Sequence, residues 1–211
     1  MKDTILKYFG DELSPDQIDK FDKMMSVYKS WNDKINVVSR KDIDNLYLKH
    51  ILHSLAIAKV HSFVKGEVVM DLGCGGGFPG IPLAVMFPEV QFKMVDSVGK
   101  KILVVKNVAL ELGLSNVETY NIRAEQIDFK VDYVVSRAVT DLSTFLNWSW
   151  KKIIGGAPHG VLYLKGGELD EEISDAKSVV KHSGVITLHS IDKYFDEEFF
   201  ETKKVIQIIK R

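Results

Sequence analysis

The sequence predicts a doubly wound α/β fold: a mostly parallel sheet with helices on both faces, an antiparallel hairpin near the C-terminus, and a helical extension at the N-terminus. Three observations carry this. From residue 63 onward, short apolar runs alternate with longer amphipathic ones, the pattern of strands joined by crossover helices. The stretch 68–84, VVMDLGCGGGFPGIPLA, is an apolar run ending in Asp71, a turn holding Gly73, Gly75, Gly76 and Gly77, and a helical segment opened by Pro79. The last two apolar runs, 184–190 and 202–209, have no helical pattern between them and read as a hairpin, which makes one strand antiparallel.

The elements follow in order. Ser14-Pro15-Asp16-Gln17 is a helix start, a capping-box pattern with proline at the first helical position. Ile18, Phe21, Met25, Tyr28, Trp31 and Ile35 recur every three or four residues and mark one amphipathic helix. Asp42 is placed to cap a second, with Ile43, Leu46, Ile51, Leu52, Leu55 and Ala58 on its apolar side. Residues 1–62 therefore read as a helical extension, packed on a main domain of residues 63–211. In that domain strands are expected at 67–72, 91–96, 116–120, 131–136, 160–165, 184–190 and 202–209. Helices are expected at 79–87, 99–113, 140–153 and 169–182.

A chain of 211 residues suits one α/β domain plus a small accessory piece. Hydrophobic content of 45% and charged content of 27% are those of a soluble globular protein. No apolar run approaches the roughly 18 residues of a membrane span. The N-terminus, MKDTILKYFGDEL, has acidic residues and no long apolar core, so it is not a secretory signal. One cysteine, Cys74, excludes an internal disulfide and fits a reducing, cytoplasmic location. No Cys/His cluster suggests zinc, and no metal is expected. The net charge of −1 argues against a nonspecific nucleic-acid coat but leaves room for one basic face. Such a surface suits a structured RNA or ribonucleoprotein.

Strand, acidic residue, glycine-rich turn and helix let a nucleotide-like ligand approach backbone atoms closely. Asp96 ends the next apolar run, VQFKMVD, where it is placed to accept hydrogen bonds from ribose hydroxyls. G-x-G-x-G alone is shared with dinucleotide dehydrogenases, kinase-like loops and plain turns. The formal G-x-G-x-x-G at 75–80 ends in a glycine that follows Pro79, and no G-x-x-x-x-G-K-[ST] is present, which argues against a P-loop ATPase. The better reading is D-x-G-x-G-x-G from Asp71 through Gly73, Gly75 and Gly77. It resembles motif I of class I S-adenosylmethionine (SAM) methyltransferases.

Other constellations keep two readings each. Lys100 and Lys101 stand at the start of the 99–113 helix, an end that prefers anions. They are either solvated side chains or phosphate contacts beside the cofactor. Glu125, after Arg123 and Ala124 beyond the third strand, either faces an adenine amino group, caps a helix or pairs with Arg123. Arg137 ends the fourth strand, where amino-methyltransferases carry an acidic or Asn residue, two prolines and an aromatic. It either serves cofactor and substrate or pairs with a loop carboxylate. Cys74 lies within the cofactor loop and is not read as a nucleophile. His50 and His53, three apart, read as polar structure rather than a metal site. Trp148 and Trp150 read as packing residues rather than base-stacking platforms. Lys165 ends the fifth strand, on the ligand side of the sheet.

Together these segments resemble the bacterial 16S ribosomal RNA (guanine-N7) methyltransferases, the RsmG or glucose-inhibited division protein B family. The resemblance rests on residues 36–40, 50–55 and 71–84 with its FPGIPLA tail, Asp96-Ser97, Lys100-Lys101, residues 111–114, Asn116-Val117, residues 123–125, residues 136–138 and Lys165-Gly166. It runs through about three quarters of the chain. His53 stands where the family commonly has Asp, and the loop reads GCGGGFPG rather than GSGAGFPG.

The resemblance implies a Rossmann-like class I methyltransferase fold, SAM as cofactor, and 16S rRNA in the small ribosomal subunit as substrate. It carries over Gly73, Phe78, Ala124, Glu125 and Arg137 as cofactor contacts. The reading of the residues themselves adds Asp71, Gly75, Gly77 and Asp96. Arg40, Lys100, Lys101, Arg123 and Lys165 are candidates for RNA phosphates. A monomer is expected. Guanine N7 has an in-plane lone pair and no proton, so no general base is required and none is assigned; Arg137 is a positioning candidate whose guanidinium is expected to face a carboxylate or phosphate. The alternatives are a SAM-dependent methyltransferase acting on a small molecule or protein, and a non-catalytic SAM-binding regulatory module.

Overall fold

The computed structural model describes residues 3–155 and 158–211. Seven strands form one sheet: β1 Val68–Leu72, β2 Gln91–Val95, β3 Val117–Tyr120, β4 Tyr133–Arg137, β5 Gly160–Gly166, β6 Gly184–Ser190 and β7 Lys203–Lys210. Their spatial order is β3-β2-β1-β4-β5-β7-β6. The pairs among β1 to β5 are parallel, with Asp71 opposite Met94 on one side and Val135 on the other. The terminal hairpin expected from the sequence is present: β7 runs antiparallel between β5 and β6. The central strands are buried on both faces, as at Val69, Met70, Val134, Val135, Val161 and Leu162. This is why they read as continuous apolar runs rather than alternating ones.

The helices are α1 Asp3–Phe9, α2 Pro15–Asn32, α3 His53–Val60, α4 Gly80–Met86, α5 Gly99–Glu111, α6 Leu142–Ser149 and α7 Asp170–Val180. The capping box forms: Ser14 Oγ accepts from the Gln17 amide and Gln17 Oε1 accepts from the Ser14 amide, at 3.3 and 2.8 Å. Gln17 Nε2 then donates to the Val85 and Met86 carbonyls at the end of α4. Asn116 Nδ2 donates to Ala84, Phe87 and Val90 there. Two polar side chains thus satisfy a buried helix terminus that would otherwise leave carbonyls unpaired.

Three expectations change in the extension. Helix α1 went unread: its seven residues are too few to show a period, and tertiary burial of Ile5 and Phe9 holds it. Helix α2 stops at Asn32 rather than reaching Ile35, because Asn32 Oδ1 accepts from the Val37 and Val38 amides and folds the chain back. Asp42 is not a helix cap: its carboxylate is taken by Ser39 Oγ and Lys49 Nζ, both at 2.7 Å. The expected second helix is a 3-10 turn, Ile43–Asn45, a π-helical turn, Tyr47–Leu52, and α3.

Phe21, Tyr28, Leu52 and Ile57 of the extension share one apolar core with Phe92, Val104 and Leu162 of the sheet and its helices. The carboxyl ends of β1, β2 and β4 and the turn after β3 open on a common cleft.

Candidate functional site

The cleft encloses about 540 Å³, within the range of small-molecule sites. Its floor is the loop after β1. Gly73 has φ +74°, and a Cβ there would lie 2.7 Å from Val139 Cγ2. Gly77, at φ +97°, would bring a Cβ to 2.7 Å from Ile81. Both positions need glycine for backbone conformation and for space. Asp96 leaves β2 with its carboxylate mostly buried; Oδ2 accepts from the Gly75 amide at 3.0 Å and Oδ1 from the Val98 amide at 2.8 Å. Each carboxylate oxygen has room for a second hydrogen bond. Lys101 Nζ lies 3.8 Å from Oδ2 and partly balances the charge.

Asp71 sits beneath the loop, fully buried. Its Oδ2 accepts from the Gly80 amide at 2.8 Å, and Oδ1 has no partner among the described residues. Burial pushes its pKa up to about 7. It pins the start of α4 against β1.

At the tip of β4, Ser136 Oγ donates to the Leu72 carbonyl at 2.8 Å. Arg137 reaches the extension: Nη1 donates to the Lys49 carbonyl at 3.2 Å, and Nη2 lies 2.9 Å from His50 Nδ1. A guanidinium can only donate, so Nδ1 accepts and the His50 proton resides on Nε2. Burial, reinforced by Arg137, lowers the His50 pKa to about 4, so the ring is neutral at pH 7. The Arg137 guanidinium carbon lies 5.3 Å from the centre of the Phe78 ring, which stacks on Tyr28 at 4.8 Å. Tyr28 Oη in turn donates to the Gly76 carbonyl at 2.9 Å. The extension thus grips both the glycine loop and the β4 tip. The expectation that Arg137 would face a carboxylate or phosphate is corrected: its hydrogen-bond partners are a carbonyl and a neutral imidazole supplied by the π-helical turn.

The model of the GidB family, described as rRNA small subunit methyltransferase G, matches residues 17–197. The ribosomal RNA small subunit methyltransferase G of Christiangramia forsetii is 50% identical over 208 residues, covering 97% of this chain and 95% of that protein. The chain belongs to the GidB family. The protein of the same name from Bacteroides thetaiotaomicron is also 50% identical, over 97% of this chain and 98% of its own length. Among solved structures, a SAM-dependent O-methyltransferase from Thermotoga maritima aligns with TM-score 0.58 at 16% identity, over 80% of this chain and 69% of that one. A ribosomal protein L11 methylase from Lactobacillus delbrueckii aligns with TM-score 0.57 at 16% identity, over 76% of each chain. At these identities the structural matches establish the fold: this GidB-family chain has the class I SAM-methyltransferase architecture.

On this GidB scaffold Gly73, Gly75, Phe78, Asp96, Ala124, Glu125 and Arg137 line the cleft together. Asp71 and Gly77 do not; they shape the loop from behind. Of the basic candidates, Lys101 and Arg123 line the cleft, and Lys100 is exposed nearby on the first turn of α5. Arg40 borders a separate depression with Lys29, Asn32 and Asp44. Lys165 is engaged, donating to Glu172 at 2.5 Å and to the Thr140 carbonyl at 3.2 Å. Glu172 also accepts from the Leu142 amide, so Lys165 belongs to a brace between β5, α6 and α7. Glu125 is exposed, and Gln126 rather than Glu125 reaches back to the Arg123 amide. His53 is buried against Phe199 and Phe200, with Nε2 unpartnered. Among the described residues no cluster could hold a metal ion. The sequence reading gave no site role to several lining residues, among them Val37, Val98, Ile122, Val139 and Trp148. Val37 lies in a segment without periodicity, placed by the Asn32 hydrogen bonds.

Proposed function

We propose that this chain transfers the methyl group of SAM to N7 of a guanine in 16S ribosomal RNA, acting as a monomer in the cytoplasm. The observation that carries the N7 assignment is the state of the polar groups around the β4 tip. Ser136 Oγ is spent on a carbonyl, Arg137 donates to acceptors of its own chain, and the Cys74 thiol is buried, with its pKa pushed well above the ordinary value by burial. None is a base, and none is a thiolate. A β4 tip without a base suits a nucleophile that carries no proton, such as guanine N7.

The residues fit SAM. Gly73 and Gly75 allow close approach to the loop backbone, Asp96 keeps acceptor capacity for hydroxyl donors, and Val98, Ile122 and Ala124 offer apolar surface beside it. Bound there, SAM supplies an electrophilic sulfonium methyl. Phe78 and Arg137, held by Tyr28, His50 and the Lys49 carbonyl, form one fixed wall of the cleft and would help to hold the cofactor and the base in position. Such preorganisation is the main source of rate when no proton has to move. A GidB relative is named for the small-subunit rRNA, and Lys100, Lys101 and Arg123 at the rim supply charge for phosphates. No helix among the described residues is long and apolar enough to cross a membrane.

Small ribosomal subunits lacking the modification should accept labelled methyl from SAM. Borohydride reduction followed by aniline should then cleave the 16S rRNA at one enzyme-dependent site. Label without that break, or label recovered in a pyrimidine or an exocyclic amine, rejects N7 while leaving methyl transfer intact.

A further inference from the structure

The turn that follows β4 is held in a conformation that its residues do not favour. Ala138 has φ +47°, a left-handed backbone that a residue with a Cβ seldom adopts. Glycine would take up this backbone without strain; alanine in its place restricts the turn. Such a residue persists only where its surroundings over-determine it, and here they do. The Ala138 amide donates to the Leu164 carbonyl at 3.1 Å. Two residues on, a single hydroxyl serves both backbone groups of Thr140: Tyr163 Oη accepts from the amide at 3.3 Å and donates to the carbonyl at 2.7 Å. Lys165 Nζ reaches the same carbonyl at 3.2 Å. Tyr163 is itself fixed. It is fully buried in β5, opposite Ser136 of β4 and Ile206 of β7, with its ring 4.7 Å from that of Phe145 in α6.

Between the strained Ala138 and the clamped Thr140 stands Val139, an apolar side chain left 40% exposed. Ala138 and Val139 line the cleft next to Arg137, and both Val139 methyl groups lie where a Cβ on Gly73 would have to go. The turn therefore sets an apolar wall across the gap between the glycine loop and the β4 tip. We propose that Tyr163 is a positioning residue for methyl transfer, acting through Thr140 to hold the Ala138–Val139 turn at the cleft. Tyr163 does not line the cleft; its hydroxyl works from behind. The proposal rests on the methyl-transfer reading above and adds to it a residue that the sequence leaves as an ordinary buried strand position. With no proton to move, the rate depends on how closely nucleophile and methyl are held, and a misplacement of about 1 Å can cost on the order of 100-fold.

The test uses the whole chain and small ribosomal subunits lacking the modification. Tyr163→Phe removes the clamp and keeps the ring. Ala138→Gly keeps the clamp and loosens the turn. Both should lower the single-turnover rate at saturating SAM and subunits by roughly 5- to 100-fold. Affinity for S-adenosylhomocysteine, by calorimetry, should stay within about threefold of wild type. The melting temperatures should part. Tyr163→Phe falls, because the Thr140 amide loses its partner, whereas Ala138→Gly stays level or rises, because glycine carries no penalty at positive φ. A merely structural role does not give a slower enzyme that is no less stable. An unchanged rate in either variant overturns the proposal, as does a loss of rate wholly accounted for by weaker binding of S-adenosylhomocysteine or of subunits. If Tyr163→Phe is unfolded at the assay temperature, Ala138→Gly decides alone. A wild-type chain that transfers no methyl to the subunits would instead reject the reading on which the proposal stands.

Discussion

Arg137 at the end of β4 and His50 in the π-helical turn meet at 2.9 Å, the guanidinium donating to Nδ1 of a neutral imidazole. The contact joins the sheet to the N-terminal extension at the edge of the cleft. It also makes His50 a positioning element, since it fixes one end of a guanidinium whose other end is fixed by the Lys49 carbonyl.

His50→Ala should slow single-turnover methyl transfer by roughly 10- to 100-fold, the value of a hydrogen bond to a charged group. His50→Asn should recover part of that loss, because its amide oxygen can accept where Nδ1 does. Equal rates for the two variants would show that ring packing, not the acceptor, is what matters.

Gly73→Asp should abolish SAM binding by calorimetry with little change in circular dichroism. The position is at φ +74°, and even a Cβ meets Val139 at 2.7 Å. Retained affinity would remove the glycine loop from the binding site.

Cys74→Ala should keep methyl transfer within about threefold of wild type, a change of well under 1 kcal/mol in barrier. Burial, reinforced by Asp71 and Asp96, holds the thiol in the protonated form. Loss of several orders of magnitude with intact cofactor binding would restore the nucleophile reading.

The buried titrating groups give stability two opposing pH trends. Burial lowers the pKa of His53 from 6.5 to about 3 and that of His50 to about 4. The unfolded chain therefore binds more protons as pH falls below 6.5, and stability drops over that window. Asp71 acts in the other sense: its pKa is raised by burial from 3.8 to about 7, so its contribution is full below 3.8 and lost as pH rises through 7. His53→Phe should flatten the fall in urea midpoint between pH 7 and pH 5. Asp71→Asn, which keeps an oxygen for the Gly80 amide, should gain stability relative to wild type most at pH 8 and least at pH 5. Parallel pH profiles for wild type and either variant would refute the corresponding assignment.

Lys100→Ala and Arg123→Ala should each reduce the log–log salt dependence of rRNA binding by about 0.7–0.9, one phosphate contact apiece. Lys165→Ala should act differently, lowering thermal stability through loss of the Glu172 brace. If neither Lys100 nor Arg123 alters the salt slope, the RNA footprint lies elsewhere on the chain.

Much of this was legible in the residues. All seven strands read correctly: the central buried parallel ones are written as continuous apolar runs, and the partly exposed β3 and the antiparallel β6 and β7 as short apolar stretches bounded by turns. Asp71, the glycines and Asp96 announced the loop by spacing alone. What spacing could not tell was direction. Asp71 and Asp96 both end apolar runs, yet one carboxylate turns under α4 and the other into the cleft. Lys165 stands at the end of β5, but it does not line the cleft, and a carboxylate seven residues on engages it. Val37 and Trp148 reach the cleft through long-range packing that no local period records. The π-helical turn at Tyr47–Leu52 hid in an apolar pattern that an α-helix would share.

The packing of Val37 against Gly76, with a would-be Cβ only 3.2 Å from the Val37 side chain and carbonyl, has a thermodynamic corollary. A shift of the extension at Val37 would therefore change a contact of the glycine loop. Where two arrangements of residues 33–42 differ in their fit to the loop's occupant, a macromolecule that grips one of them more tightly alters affinity for that occupant. By reciprocity, occupancy of the loop must alter the grip by the same factor. Target engagement and cofactor exchange are then two readings of a single linkage, measurable as one coupling free energy from either end.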